Sequence, residues 1–192
     1  MNNEKKHGAA LLVMDMQTAV ISHLHDYSQI IEQVSKAIGF ARVRDIPVIY
    51  VMVDFRPGMP EVGENNKIFS ASKARLSGLS NLPAMDIDPS LRPDTGDIIV
   101  TKKRVSAFTG SDLELVLRAN GISHLMLSGV ATSGVVLSTL REAADKDFEI
   151  TVLSDCCTDM DRQLHDVLIK SVFPTQASVS TLSDLENMDW KT

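Results

Sequence analysis

Asp15 closes a run of six apolar residues, Ala9 to Met14, and is the first side chain in the sequence placed to do chemistry. A carboxylate at the end of such a run gives up solvation. Its proton affinity rises, and a carboxyl that titrates nearer neutrality can act as a general acid or base. An aspartate after a strand can equally serve as a turn or helix N-cap residue, and position alone leaves both roles open. Gln17, two residues on, can bond the backbone or touch a ligand. The triplet Lys102-Lys103-Arg104 supplies cations. Lys102 can pair with Asp15 across a cleft, which would hold the carboxylate in place and tune its proton affinity. Arg104 has the planar fork that suits a substrate carboxylate. For both cations the alternative is a solvated surface position.

The segment Gly129-Val130-Ala131-Thr132-Ser133-Gly134 joins an apolar run to a helical pattern with two glycines and two hydroxyl residues. Backbone N–H groups at such a helix start present partial positive charge to an oxyanion or carboxylate. The segment lacks the Gly-Lys-Ser/Thr ending of a phosphate loop, and a tight turn capped by Ser133 is the alternative reading. Asp155 follows a further apolar run. The histidines (His7, His23, His25, His124, His165) show no zinc-like pairing with Asp or Glu, so neither a metal nor a cofactor is expected. Cys156 and Cys157 are adjacent, read as buried inert thiols, and give no disulfide framework; a reducing, cytoplasmic compartment is expected.

These residues sit at the ends of the elements that must position them. Ala9–Met14 reads as a strand buried on both faces. Apolar residues at helical spacing follow from Tyr27 to Val43 (Ile30, Ile31, Val34, Ile38), and a second buried strand covers Pro47–Val53. Residues 54 to 96 carry five of the seven prolines and four glycines, and read as a long excursion with at most short helices. Its apolar residues Phe55, Ile68, Phe69 and Leu79 suit a lid, a subunit contact or satellites of the core. Strands are then expected at Asp97–Thr101, His124–Ser128, Glu149–Leu153 and Ala177–Leu182. Helices are expected at Asp112–Asn120 with Gly121 as C-cap, at about Ser133–Lys146, and at Asp161–Val172. Strands alternating with helices predict a three-layer α-β-α fold: an α/β, Rossmann-like architecture with about six parallel strands and helices on both faces. In such a sheet ligands bind beyond the carboxyl ends of the strands, near the point where strand order reverses. Asp15, Lys102, Gly129–Gly134 and Asp155 all fall at such ends.

The chain has 192 residues, 19 Lys+Arg and 25 Asp+Glu, a net charge of −6. One domain over 1–192 is expected, with its core at about 8–182. The acidic balance and the lack of a basic cluster argue against nucleic acid as a partner. Lys5 and Lys6 ahead of Ala9–Met14 imitate a signal segment. The run is too short, Asp15 interrupts it and no stretch reaches membrane-span length, so no membrane partner is expected.

Four motifs in order carry a resemblance to the isochorismatase-like hydrolase superfamily over about residues 8 to 182. They are Leu11-Leu12-Val13-Met14-Asp15-Met16-Gln17, Lys102-Lys103-Arg104-Val105-Ser106-Ala107-Phe108, Gly129-Val130-Ala131-Thr132-Ser133-Gly134-Val135-Val136 and Ser154-Asp155-Cys156-Cys157-Thr158-Asp159. The resemblance implies the fold read above and a hydrolase acting on a small molecule, without a cofactor, as a homodimer or larger homo-oligomer. It places Asp15 and Lys102 at the catalytic aspartate and lysine positions, Lys102 because it lies four residues before Ser106. It also implies a cis peptide between Val130 and Ala131, with the backbone at Val130, Ala131 and Val135 holding a developing negative charge, and Gln17 and Arg104 on the substrate side. One departure matters. Most amidase members carry a nucleophilic cysteine where this chain has Val135, which closes the covalent thioester route at that position. A few members, isochorismatases proper among them, work without the cysteine by acid chemistry on a vinyl ether. The metal-binding Asp/His pattern of the nicotinamidase branch is also missing, since Val53-Asp54-Phe55-Arg56-Pro57-Gly58 has no histidine. The expected function is therefore an Asp-based acid/base hydrolase of a carboxylate-bearing small molecule. A silent binding protein and a residual amidase are the alternatives.

Overall fold

A computed structural model of the chain describes residues 8–24, 27–76 and 85–187. Strands β1 (Gly8–Met14), β2 (Val48–Val53), β3 (Ile98–Lys102), β4 (Ile122–Val130), β5 (Glu149–Thr158) and β6 (Ser178–Ser180) form one sheet. Its order is β3-β2-β1-β4-β5-β6, and every neighbouring pair is parallel. Among the described residues the helices are α1 (Thr18–Ile21), α2 (Tyr27–Arg42), α3 (Lys67–Leu76), α4 (Leu113–Ala119), α5 (Leu137–Asp145), α6 (Arg162–Val167) and α7 (Leu182–Glu186). None of them is long and apolar enough to cross a membrane.

The unbroken apolar run of β1 has a direct cause. Ala10, Leu12 and Met14 point into a core shared with Leu113 and Leu117 of α4 and Leu140 and Ala143 of α5. Leu11 and Val13 point the other way, into a core shared with Ile30, Val34, Ala37 and Ile38 of α2 and Leu182 and Leu185 of α7. A strand with helices on both faces has no polar side, so its sequence cannot alternate.

Several boundaries differ from the sequence reading. β4 continues through Gly129 and Val130, and β5 runs to Thr158, so Asp155, Cys156 and Cys157 lie within that strand and not past it. Gly129 and the polar pair Ser154-Asp155 looked like strand ends. The ladder instead absorbs an irregularity between Leu127 and Gly129 and resumes as Gly129↔Cys157 and Val130↔Thr158. The helix expected from Ser133 opens as a π-helical turn, Thr132–Val136, before α5. That expected at Asp161–Val172 is α6 followed by a second such turn, Leu168–Val172.

The excursion holds more helix than expected. α3 has 10 residues, and its signal is Asn66, whose side-chain carbonyl accepts from the Phe69 N–H at 3.0 Å. Phe55 and Phe69 meet edge to face at 5.2 Å, while Ile68 is largely exposed. Leu79 lies outside the described residues. Short helices α1 and α7 had no periodic signature in the sequence.

Candidate active site

The order of strands reverses between β1 and β4: the chain builds β2 and β3 on one side of β1, then returns to add β4 on the other. Met14, the last residue of β1, pairs with Val51 of β2 and with Gly129 of β4. Asp15 therefore leaves β1 at the switch point, directly after the pair that Met14 makes with Gly129. Its N–H donates to the Val51 carbonyl at 2.8 Å, and its φ of 54° places it in the left-handed region, which aspartate tolerates better than most residues.

Lys102 reaches the same point from two strands away. Val53 pairs with Lys102, so β2 separates the lysine from β1 by about 9–10 Å, two strand spacings. Only a long side chain crosses that gap. The Lys102 ammonium donates to Asp15 Oδ2 at 2.7 Å and to the Val105 carbonyl at 2.7 Å. The lysine is 1 % exposed and Asp15 8 %. Burial pushes the Asp15 carboxyl up to about 6, against the downward pull of the ammonium. Burial also draws the Lys102 ammonium below its usual value, and Asp15 opposes that change. The second carboxylate oxygen, Oδ1, is buried and has no hydrogen-bond partner among the described residues. A buried carboxylate oxygen left bare is costly unless something arrives to use it.

Replacing Lys102 by Met tests this balance. It removes the one attraction that lowers the Asp15 pKa and leaves the desolvation that raises it. The carboxyl titration of Asp15, followed by carbon NMR on the labelled side chain, should move clearly above 6 in the variant. An unmoved titration would mean that the pair is not coupled in solution.

The other two cations of the triplet are spent elsewhere. Lys103 donates to the Asp54 carbonyl at 2.6 Å. Arg104 donates to its neighbour Lys103's carbonyl and to the Glu61 carbonyl at 2.8 Å. Both thus fasten the start of the excursion to the end of β3, and Arg104 is half-buried in that role. Gln17 takes the backbone-bonding of its two alternatives. Its fully buried amide donates to the Val53 carbonyl at 3.0 Å and to Met85, and accepts from the Val53 N–H at 2.8 Å. Thr18 and Asp88 exchange further backbone bonds with Asp86 and Met16. The turn that carries Asp15 is thereby held between the end of β2 and the return of the excursion.

The Val130–Ala131 peptide is cis. Beyond it, the Gly134 and Val136 N–H groups fold back onto the Ala131 carbonyl at 3.0 and 3.3 Å. The Ser133 cap of the alternative, tight-turn reading is not formed. The Ser133 N–H instead donates to Asp159 Oδ2 at 2.7 Å, and Thr132 Oγ1 lies 2.8 Å from His165 Nδ1. The chain offers no sequence signal for these partners, which come from the far end of β5 and from α6. Val135 lies buried in the apolar core with Val136. No thiol stands in for it. Cys157 is buried opposite Gly129 with its thiol pushed up to about 12, and burial drives the Cys156 thiol higher still. Asp155 accepts from the Leu182 N–H at 3.0 Å, which ties the start of α7 to β5 and leaves it away from the switch point.

Comparison with known proteins agrees with this fold. The family model described as an isochorismatase domain matches residues 9–184. The ureidoacrylate amidohydrolase RutB of Yersinia enterocolitica is 32 % identical over 170 residues, covering 77 % of this chain and 74 % of that protein. Among solved structures, N-carbamoylsarcosine amidase from Thermoplasma acidophilum superposes with a TM-score of 0.72 at 25 % identity, over 91 % of this chain and 96 % of that one. A cysteine hydrolase from Pseudomonas syringae pv. phaseolicola gives 0.83 at 21 % identity, over 92 % and 90 %, which speaks for the fold.

Proposed function

The chain belongs to the isochorismatase family of hydrolases, and on that premise we propose that it cleaves its substrate by proton transfer from Asp15 with water as the nucleophile, through no covalent enzyme intermediate. The observation that carries this reading is the Asp15–Lys102 pair: one carboxylate oxygen is fixed by the ammonium at 2.7 Å and the other is buried and bare. With Oδ2 committed to Lys102, a proton taken up near neutral pH sits on Oδ1, facing whatever occupies the crevice. Val135 supplies no nucleophile, so water must do that work.

The substrate class that fits is a small carboxylate-bearing molecule with an acid-labile carbon–oxygen bond, of which an enol ether is the sharpest case. Asp15 protonates the terminal carbon of the double bond. Water adds to the adjacent carbon, the hemiketal collapses with loss of the alcohol, and the proton shed by the water restores the carboxyl. The Asp15 carboxylate left by the proton transfer would steady the positive charge that develops on the ether oxygen, with the backbone at Val130, Ala131 and Val135 lining the crevice around it. Gln17 and Arg104 would act from behind, by fixing the walls, since their polar groups are held by carbonyls and backbone N–H groups. A second reading draws on the relatives: RutB and N-carbamoylsarcosine amidase are named for carbon–nitrogen cleavage. Here Asp15 would act as a base on water.

One pH profile separates the two. Purified protein is assayed against isochorismate and a panel of ureido and N-carbamoyl acids. Under the acid reading, kcat/KM is level at low pH and falls about tenfold per pH unit above the Asp15 pKa of about 6, because only the protonated carboxyl works. Under the base reading it rises through the same point. Tight carboxylate binding in a thermal-shift screen, with no turnover of any panel compound, would identify a silent binding protein and overturn both.

A further inference from the structure

We propose that Thr132 and His165 form a positioning pair that fixes the backbone of residues 130–136 against Asp15, an assignment that rests on Asp15 being the reacting group. The hydroxyl of Thr132 is fully buried, and a buried hydroxyl demands a partner. The partner comes from 33 residues further along the chain: His165 Nδ1, at 2.8 Å. The next residue is held from the same direction, since the Ser133 N–H donates to Asp159 Oδ2 at 2.7 Å. Asp159 directly follows β5 and His165 lies in α6, the next element, and Val130 pairs with Thr158 at the end of β5. Two successive residues just beyond β4 are thus tied to one neighbouring segment.

On its other side the same stretch has no such freedom either. Gly129 pairs with Met14, so Val130 and Asp15 are the next residues along neighbouring strands, and Val135 and Val136 are set in the apolar core. The segment is pinned at its start by the β1–β4 ladder, at its end by the core, and in its middle by the Thr132–His165 bond and the Asp159 carboxylate. In that middle the Ser133 N–H is taken by Asp159 and the Gly134 and Val136 N–H groups by the Ala131 carbonyl, so the fold of the turn depends on these ties. Without the side-chain ties, a π-helical turn is free to relax toward an ordinary helical turn, whose N–H directions differ. The pair touches neither the reacting atoms nor Asp15, and acts through the segment it holds.

The test uses Thr132→Val, His165→Ala, their double variant, and two variants that keep a polar atom in place, Thr132→Ser and His165→Asn. Hydrogen exchange on the unliganded protein should quicken at least tenfold in a peptide spanning 129–137 for Thr132→Val and His165→Ala, with β1 and β2 unchanged. Thr132→Ser and His165→Asn should stay within threefold of wild type. With the panel compound that the wild type turns over, kcat should fall at least tenfold while KM stays within twofold, and the double variant should be no slower than the slower single variant. Unchanged exchange at 129–137 in both single variants would overturn the proposal. So would a rise spread evenly over the sheet, which marks a merely structural role, or additive losses in the double variant. A wild type that turns over nothing removes the reaction proposed for Asp15, and the exchange measurements still decide the role of the pair.

Discussion

Asp15→Asn should lower kcat by about a thousandfold, within the 10²–10⁴ range that a positioned acid or base contributes, with KM changed little. The substitution keeps the shape of the side chain and leaves a carbonyl for the Lys102 ammonium, so the crevice is preserved and the exchangeable proton is lost. Stability supplies an independent reading of the same group. The Asp15 carboxyl is raised from 3.8 to about 6 in the folded chain, chiefly by burial. The folded state therefore holds this proton more tightly than the unfolded state. The stabilisation this gives is complete below about pH 3.8 and is lost as pH rises through about 6. Wild-type Tm should carry a downward component between these values that Asp15→Asn lacks. Residual activity within tenfold of wild type, on any substrate found, would remove Asp15 from the chemistry and with it the proposed function.

The Asp15–Lys102 pair was legible as a candidate because a parallel sheet places ligand-facing positions at strand ends, and an apolar run that stops at a charged residue marks such an end. The choice of Lys102 over Lys103 came from the resemblance. The sheet itself followed from the same pattern: strands β1 to β5 all lie where apolar runs predicted them, and Gly121 sits past α4 with a φ of 64°, as a C-cap glycine should. What could not be read was every contact made by a polar side chain to something distant. Gln17 offered two roles, and its choice of Val53 depends on how β2 ends. Arg104 offered a fork for a substrate and is instead drawn to the Glu61 carbonyl, because the excursion folds back over the end of β3. Thr132, His165 and Asp159 have no spacing that betrays them; they meet because β5 extends five residues past the point where its polar residues suggested it stopped. Strand ends are local facts. The partners of polar groups beyond those ends depend on tertiary structure.

The largest stability effect is expected at Gly129, where no side chain takes part in any chemistry. Its φ is 128°, and a Cβ built there would lie 2.0 Å from the Met14 carbonyl oxygen, inside any permitted contact. The obstacle is the Met14 backbone, at the last pair of the ladder between β1 and β4, so no side chain can swing away to make room. Gly129→Ala must push β1 from β4 or twist the strand out of its conformation, and both undo the Met14–Gly129 pairing that immediately precedes Asp15 and Val130. A cost of about 4 kcal/mol or more is expected, which for a chain of this size lowers Tm by about 8–16 °C. Gly39→Ala provides the opposite sign in the same protein. It lies in the middle of α2, nothing stands within 4 Å of its Cβ position, and alanine there should stabilise by about 0.5–1 kcal/mol. Thermal unfolding of the two variants thus asks whether backbone approach at the switch point, rather than glycine loss in general, governs stability. A Gly129→Ala variant that melts within 2–3 °C of wild type, on the order of 1 kcal/mol, would mean that β1 and β4 can separate at this point. The crevice could then not hold Asp15 at a fixed distance from residues 130–136, and the chemistry assigned to that pair of elements would lose its geometric basis.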